Sequence, residues 1–140
     1  MNPSPQPAFF VRMFSPCFAP QVEAGTKLQT VRPRPRRMPR PGDTISLRCW
    51  TGQPYRSKQR VLRAATVSSV RQLTITTTGQ LELDGVYLTT RGMESFAQAD
   101  GFPDHEALLA WFRTTHGLPF HGIVIAWNNS DQTAATDATK

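Results

Sequence analysis

The chain has 140 residues, of which 39% are hydrophobic and 9% aromatic, and it carries a formal net charge of +6. A chain of this length forms one domain that buries about two-thirds of its unfolded surface. No apolar run is long enough to span a membrane, and the first residues lack the basic and apolar regions of a secretory signal. The sequence therefore predicts a cytoplasmic protein with no membrane partner, in which Cys17 and Cys49 stay reduced and buried.

The charge is distributed unevenly along the chain. Residues 1–72 contain 13 Lys and Arg against two acidic residues, a balance of +11, whereas residues 73–140 contain three basic against eight acidic residues, a balance of −5. We expect the basic half to attract phosphates. Ordinary solubility charge is the alternative interpretation.

The first half of the chain shows mostly strand patterns. Residues 1–7 contain three prolines and are expected to be a disordered leader. Aromatic and β-branched residues predict a strand at residues 8–14, Gly25 closes a short helical turn, and alternation predicts a second strand at residues 27–32. Residues 33–41 contain four prolines, which exclude a helix or a central strand and predict an exposed, extended loop. The arginines of this loop are Arg34, Arg36, Arg37 and Arg40.

The second half combines strands with one clear helix. Strands are predicted at residues 44–50, at 61–78 as one long or two broken strands, at 80–90 around an Asp-Gly turn, and at 121–127. Residues 103–117 predict a helix whose core face includes Leu108, Trp111 and Phe112. Residues 128–140 are polar and are expected to be a disordered tail. The pattern predicts an α+β fold over residues 8–127, a small mixed β-barrel with one main helix and one short helical turn.

Four residues of the first half form a motif. Gly25, Lys27, Thr30 and Arg32 give the spacing G-x-K-x-x-T-x-R, followed by a Pro-Gly-Asp turn, an Ala-Asp-Gly-Phe segment before the helix, and a final strand that ends in Trp127. In this order the residues resemble the ASCH domain family, a branch of the PUA-like β-barrels, over about residues 8–127. The resemblance implies a PUA-like barrel that binds RNA or modified nucleotides.

The resemblance also implies an activity. Some small ASCH proteins are amidohydrolases that remove the acetyl group from N(4)-acetylcytidine, and others have been described as ribonucleases. The amidohydrolases use a Lys and a Thr of the motif and a downstream carboxylate, which correspond here to Lys27, Thr30 and Asp100. At the last position the family enzymes have Glu, which is one methylene longer. Lys27 would activate the Thr30 hydroxyl, and Arg32 would hold an anionic or carbonyl oxygen.

Each of these residues also has an ordinary structural interpretation. Lys27 can cap the preceding helical turn or pair with a surface carboxylate, and Thr30 suits a pleated strand. Arg32 can be one more member of the basic loop. Asp100, which precedes a glycine, is typical of a turn. The other carboxylates considered for the third role are Glu94 and Glu106.

Three more aromatic residues, the histidines and the cysteines are the remaining candidates for base stacking or metal binding. Trp50, Tyr55 and Phe102 can stack on a base or pack inside the protein. The histidines and cysteines lack metal-ligand spacing, and no glycine-rich phosphate loop is present, so neither a metal nor a cofactor is expected.

The sequence thus favours a domain that binds RNA, another single-stranded nucleic acid or a modified cytidine-type nucleotide in a basic cleft. The predicted binding residues are Arg32, Arg34, Arg36 and Arg37. The alternative is an amidohydrolase acting on N(4)-acetylcytidine, or a ribonuclease, for which the sequence contains no His pair or metal-binding carboxylate cluster. Because a bare nucleoside has no phosphate, the arginine-rich loop favours a nucleotide or polynucleotide ligand over a nucleoside. The oligomeric state stays open.

Overall fold

The computed structural model describes residues 7–128. Its elements in chain order are β1 Phe9–Met13, α1 Ala19–Ala24, β2 Gln29–Pro33, β3 Thr44–Trp50, β4 Gln59–Ile75, β5 Leu81–Leu83, β6 Val86–Tyr87, α2 Thr90–Ala99, α3 His105–Thr115 and β7 Phe120–Asn128. The predicted leader and tail lie outside the described residues, except for Pro7 and for Asn128, which ends β7.

The seven strands form one mixed sheet. β1 runs parallel to β3, and β3 runs antiparallel to β4. β7 pairs antiparallel with both β4 and β2, while β5 and β6 extend the sheet from the C-terminal end of β4. Within residues 7–128 no backbone pairing joins β1 to β2, so the sheet is not closed into the predicted barrel. β2 ends at Pro33, the first of four prolines in residues 33–41, and each proline lacks an N–H group to donate to a closing ladder.

The α+β prediction is confirmed, but the prediction of one main helix and a single helical turn is wrong, because the described residues contain three helices. The missed helix is α2. Its buried Met93, Phe96 and Ala97 follow helical spacing, and the Thr89 hydroxyl caps it by accepting a hydrogen bond from the Gly92 N–H at 3.0 Å. The two predicted helical segments are α1, which ends at Gly25 with a left-handed φ of 85°, and α3.

Two hydrophobic clusters cover opposite faces of β7. One packs α2 and α3 against β5 and the C-terminal half of β4 and includes Val124. The other packs α1 against β1, β3 and the N-terminal half of β4 and includes Ile123 and Ile125. This alternation is the two-residue period of a strand buried on both faces. Phe18, just before α1, contacts both clusters and marks where they meet.

Two smaller expectations can be compared with the fold. Cys17 and Cys49 are both free, and Cys49 is buried as predicted, whereas Cys17 is exposed in the segment before α1. No helix among the described residues is long and apolar enough to cross a membrane.

Candidate functional site

A cavity of about 210 Å³ lies where the two hydrophobic clusters meet. Its aromatic walls are formed by Phe14, Phe18, Phe102 and Trp111. Its polar lining includes Lys27, Thr30, Arg32 and Asp100. The fold therefore brings all four residues singled out in the motif and the downstream turn to one cavity, although Asp100 is 73 residues from Lys27 in the chain.

Lys27 and Asp100 form a buried ion pair. Each residue is only 3% exposed. Lys27 Nζ donates hydrogen bonds to the backbone oxygen of Asp100 and, at 3.3 Å, to its Oδ1. Lys27 thus pairs with a carboxylate inside the protein and not with one at the surface. The backbone holds both partners in place, since the Asp100 N–H donates to Phe96 at the end of α2 and the Lys27 N–H donates to Gln21 in α1.

Gly101 allows the turn after α2 to lie close to Gln21 and Lys27. Its φ is 98°, a left-handed value that side chains disfavour. A Cβ atom at this position would lie 2.5 Å from Gln21 Oε1 and 3.2 Å from Lys27 Cδ. The turn after Asp100 therefore needs a glycine for its backbone conformation and for the space that the Lys27 stem occupies.

Burial sets the protonation chemistry of the pair. It raises the pKa of Asp100 to about 6, although the neighbouring Lys27 ammonium acts in the opposite direction. Burial likewise lowers the pKa of Lys27, against the raising effect of Asp100. Both groups therefore exchange protons closer to neutral pH than their exposed counterparts. Such a pair is suited to accept or donate a proton within an enclosed site.

Thr30 and Arg32 form the second polar group of the cavity. Thr30 is buried, and its Oγ1 accepts a hydrogen bond from Arg32 Nε at 2.9 Å. Arg32 Nη2 donates to the Met13 carbonyl at 2.7 Å and so bridges the unpaired edges of β2 and β1. Because the Lys27 ammonium is directed at Asp100, the hydroxyl of Thr30 is positioned by Arg32 and not by Lys27. Burial lowers the pKa of Arg32 to about 10, and the positive charge of Arg12 adds to this effect.

Several cavity residues were not identified from the sequence, among them two aromatic side chains in and just after α3. Trp111 lies in α3 and His116 directly follows it, and both side chains line the cavity with their ring centroids 5.7 Å apart. The ring centroid of Trp111 also lies 6.0 Å from that of Phe18. Helical spacing predicts a core position for Trp111, and His116 was considered only as a metal ligand. No sequence signal distinguishes a cavity-lining tryptophan from a core tryptophan at the same helical spacing.

Most of the other carboxylates and aromatic residues considered for the site lie outside the cavity. Glu94 accepts a hydrogen bond from the His105 N–H at 3.1 Å, and Glu106 is exposed in the first turn of α3, so neither carboxylate lines the cavity. Tyr55 is 89% exposed and packs against Trp50 with ring centroids 5.1 Å apart. Of the three aromatic residues considered for base stacking, only Phe102 lines the cavity.

The arginine-rich loop lies outside the cavity. Arg34, Arg36 and Arg37 are exposed, whereas Arg32 lines the cavity itself. Within residues 7–128, no cluster of three His, Cys, Asp or Glu side chains is placed to hold a metal ion. Comparisons of the chain with protein-family models, with curated proteins and with solved structures find no match.

Proposed function

We propose that the cavity binds the base of a cytidine-type nucleotide, in RNA, in another single-stranded nucleic acid or as a modified nucleotide. The observation that carries the proposal is the Lys27–Asp100 ion pair at an aromatic-walled cavity of about 210 Å³. This volume is smaller than the roughly 300–1,000 Å³ of sites for drug-sized ligands. A single base is the part of a nucleotide that suits such a space, with its sugar and phosphate outside.

The chemistry of the lining favours cytosine. The faces of Phe102 and Trp111 can stack against a planar ring. The Lys27 ammonium donates hydrogen bonds, and the ionised Asp100 carboxylate accepts them. Cytosine offers a donor at its exocyclic nitrogen beside ring acceptors, which matches such a pair. Uracil has an oxygen in place of that nitrogen, so an ionised Asp100 would face a second acceptor.

Membership of the ASCH domain family is part of the same proposal. It is supported by the meeting of Lys27, Thr30 and Arg32 with Asp100 at one cavity. The order of α1, then β2 with Thr30 and Arg32, and finally β7, which ends one residue after Trp127, also agrees with the resemblance.

Binding can be tested with short single-stranded RNAs that differ only in a central cytidine, N(4)-acetylcytidine or uridine. Quenching of tryptophan fluorescence is a suitable signal, because Trp111 lines the cavity. We expect a cytidine-type base to bind more tightly than uridine. We expect Lys27→Met to weaken binding by about tenfold or more, since a hydrogen bond to a charged group contributes roughly 1.5–3 kcal/mol.

Matched variants separate the site from general charge. Lys58→Met makes the same substitution at an exposed position between β3 and β4 and should leave base preference unchanged. Thr30→Val keeps the side-chain shape and provides a second variant if Lys27→Met folds poorly. Equal affinity for cytidine and uridine strands, or equal effects of Lys27→Met and Lys58→Met, would contradict the proposal.

A second candidate function, hydrolysis of N(4)-acetylcytidine, is favoured by one observation: the Thr30 hydroxyl lies at the same cavity as the ion pair and accepts a hydrogen bond from Arg32. With the proton of the ion pair on Asp100, neutral Lys27 would turn from Asp100 to the Thr30 hydroxyl and take its proton, and the Arg32 N–H would stabilise the developing alkoxide. Attack of Thr30 on the acetyl carbonyl would break the C–N bond, with protonated Asp100 supplying the proton of the departing amine. Water would then release acetate from Thr30.

The hydrolase is tested by chromatographic measurement of cytidine release. Wild type should release cytidine, and Thr30→Val and Lys27→Met should each reduce the rate by a similarly large factor, because residues that act as a unit are not additive. An unchanged rate in Thr30→Val would reject Thr30 as nucleophile. If wild type releases no cytidine but still binds the acetylated strand, the protein is a binding domain.

A further inference from the structure

Three arginines line up beside the cavity on two buried phenylalanine rings. Phe10 lies in β1 and Phe14 directly follows the strand, and both are buried. Because they are four residues apart, they share one face of the chain with Arg12, which lies between them. The guanidinium carbon of Arg37 lies 4.4 Å from the Phe10 ring centroid, and that of Arg12 lies 5.4 Å from the same centroid. The guanidinium carbon of Arg32 lies 5.0 Å from the Phe14 centroid. We call Arg32, Arg12 and Arg37 the arginine row.

The positive charge of the arginine row is not neutralised by ion pairs. The ion pairs among residues 7–128 join Lys27 to Asp100, Arg60 to Glu23 and Arg71 to Asp84. The hydrogen bonds of the row go to neutral acceptors: Arg12 donates to the Val11 carbonyl, and Arg32 donates to Thr30 and to the Met13 carbonyl. The rings add cation–π attraction but no negative charge.

The members of the row repel one another. Burial lowers the pKa of Arg12, and the charge of Arg37 lowers it further. The charge of Arg12 in turn lowers the pKa of Arg32, on which the buried Asp100 has only a weaker opposing effect.

Asp43 is the acidic residue near Arg37. Hydrogen bonds from the Ala8 and Arg40 N–H groups to its carboxylate oxygens lower its pKa, and the charge of Arg37 adds to this effect. Among residues 7–128, Asp43 forms no ion pair with the row. Three guanidinium groups without an ion-pair partner favour an incoming anion, because the anion relieves their repulsion.

We propose that the arginine row binds the phosphate of the nucleotide whose base lies in the cavity, an inference that rests on the proposed function. Arg32 lines the cavity, while Arg12 and Arg37 continue away from it along the open edge of β1. Guanidinium groups match phosphate oxygens with paired N–H donors. The ligand class is therefore a phosphorylated nucleotide or a phosphodiester strand, not a free nucleoside. Arg12, which no motif singled out, is the central contact.

The experiment compares four probes: cytidine, cytidine 5′-monophosphate, a cytidine trinucleotide, and an abasic strand of the same length. We expect the phosphorylated cytidine probes to bind wild type about tenfold or more tightly than cytidine. Arg12→Gln should remove most of that advantage while leaving the affinity for cytidine unchanged. Deleting one phosphate contact should also reduce the log–log salt slope by about one.

Arg56→Gln is the matched control, because Arg56 is an exposed arginine between β3 and β4 and carries the same charge. It should keep the full advantage of the phosphorylated probes. Arg37→Gln, at an exposed position of the row, should behave like Arg12→Gln and replaces it if that variant folds poorly. Tight binding of the monophosphate identifies a mononucleotide ligand, and tight binding of the trinucleotide alone identifies a strand.

The inference and the proposed function fail in different ways. If both phosphorylated probes bind no more tightly than cytidine, or if Arg12→Gln and Arg56→Gln have equal effects, the arginine row is not a phosphate site, although the cavity can still bind a base. If the abasic strand binds as tightly as the cytidine trinucleotide and depends on Arg12, the arginine row is supported and base recognition by the cavity is rejected.

Discussion

Asp100→Asn should change how the stability of the protein depends on pH. The pKa of Asp100 is about 6 in the folded protein against an ordinary value of 3.8. At about 1.4 kcal/mol per pKa unit, this difference corresponds to about 3 kcal/mol. Because the folded pKa is raised, the stabilising contribution of Asp100 is fully present below pH 3.8 and is lost as the pH rises through 6.

The prediction can be measured by urea unfolding followed by circular dichroism between pH 4 and 8. In wild type this single group should lower the free energy of unfolding by about 2 kcal/mol over that interval, since part of the effect falls below pH 4. Asp100→Asn should lack this decrease, so the difference in stability between wild type and variant should itself change with pH. Lys27→Met should move the decrease to higher pH, because the ammonium of Lys27 opposes the rise in the Asp100 pKa.

Asp84→Asn makes the same substitution at a half-exposed aspartate and serves as the control. Hydrogen bonds from the Gln72 N–H and Arg71 lower the pKa of Asp84, so its contribution is present above pH 3.8 and is lost only as the pH falls further. Asp84→Asn should therefore leave the pH dependence of the free energy of unfolding unchanged between pH 4 and 8. Parallel profiles for wild type and Asp100→Asn would refute the reasoning, because they would mean that burial does not raise the pKa of Asp100.

Three further substitutions test the parts of the fold that build the site, each by the free energy of unfolding. Gly101→Ala should destabilise by about 1–3 kcal/mol, because its φ is 98° and the new Cβ would meet Gln21; a neutral result would contradict the tight turn. Asp104→Ala should lower the free energy of unfolding by about 1 kcal/mol, because it removes the side chain that caps α3 by accepting a hydrogen bond from the Ala107 N–H. Asp104→Ser should be much less destabilising, since serine is also a good cap. Phe96→Ala should lower the free energy of unfolding by about 3–5 kcal/mol, because it removes a buried ring, whereas an alanine substitution at an exposed position of α2 should lower it little.

The strands were largely predictable because their residue patterns are strong and local. β3 occupies the predicted residues 44–50, and the segment rich in Val, Thr and Ile is one continuous strand, β4. α2 was missed because it begins at a Thr-Arg-Gly sequence directly after strand-like residues and is polar except for a narrow apolar face. Its cap and its i, i+3, i+4 spacing are present in the sequence, but Gly92 at its third position has a low helix propensity and disfavours the pattern.

The sequence indicated four polar residues that line the cavity, but neither most of its aromatic walls nor its ion pair. The motif placed Lys27, Thr30 and Arg32 together, and the downstream turn supplied Asp100. The sequence could not show that Lys27 pairs with Asp100, because these residues are 73 positions apart and meet only through the fold. The bond from Arg32 to Thr30 is local, since both residues lie on β2 two positions apart. Spacing along a strand shows which side chains share a face, whereas a partner from another element depends on the tertiary fold.

The open edge between β1 and β2 connects the fold to the arginine-rich segment. If β1 and β2 paired directly, their backbones would occupy the space that the Arg32 side chain now spans to reach Met13. Prolines beyond β2 remove donors that such pairing would need, and the like charges of the arginine row oppose its collapse. On our proposal, the same features that prevent closure of the sheet leave room for a phosphate beside the cavity. The positive charge of residues 32–40 is then divided between Arg32 and Arg37, which lie close to the ligand, and the outer arginines, which raise the local attraction for anions.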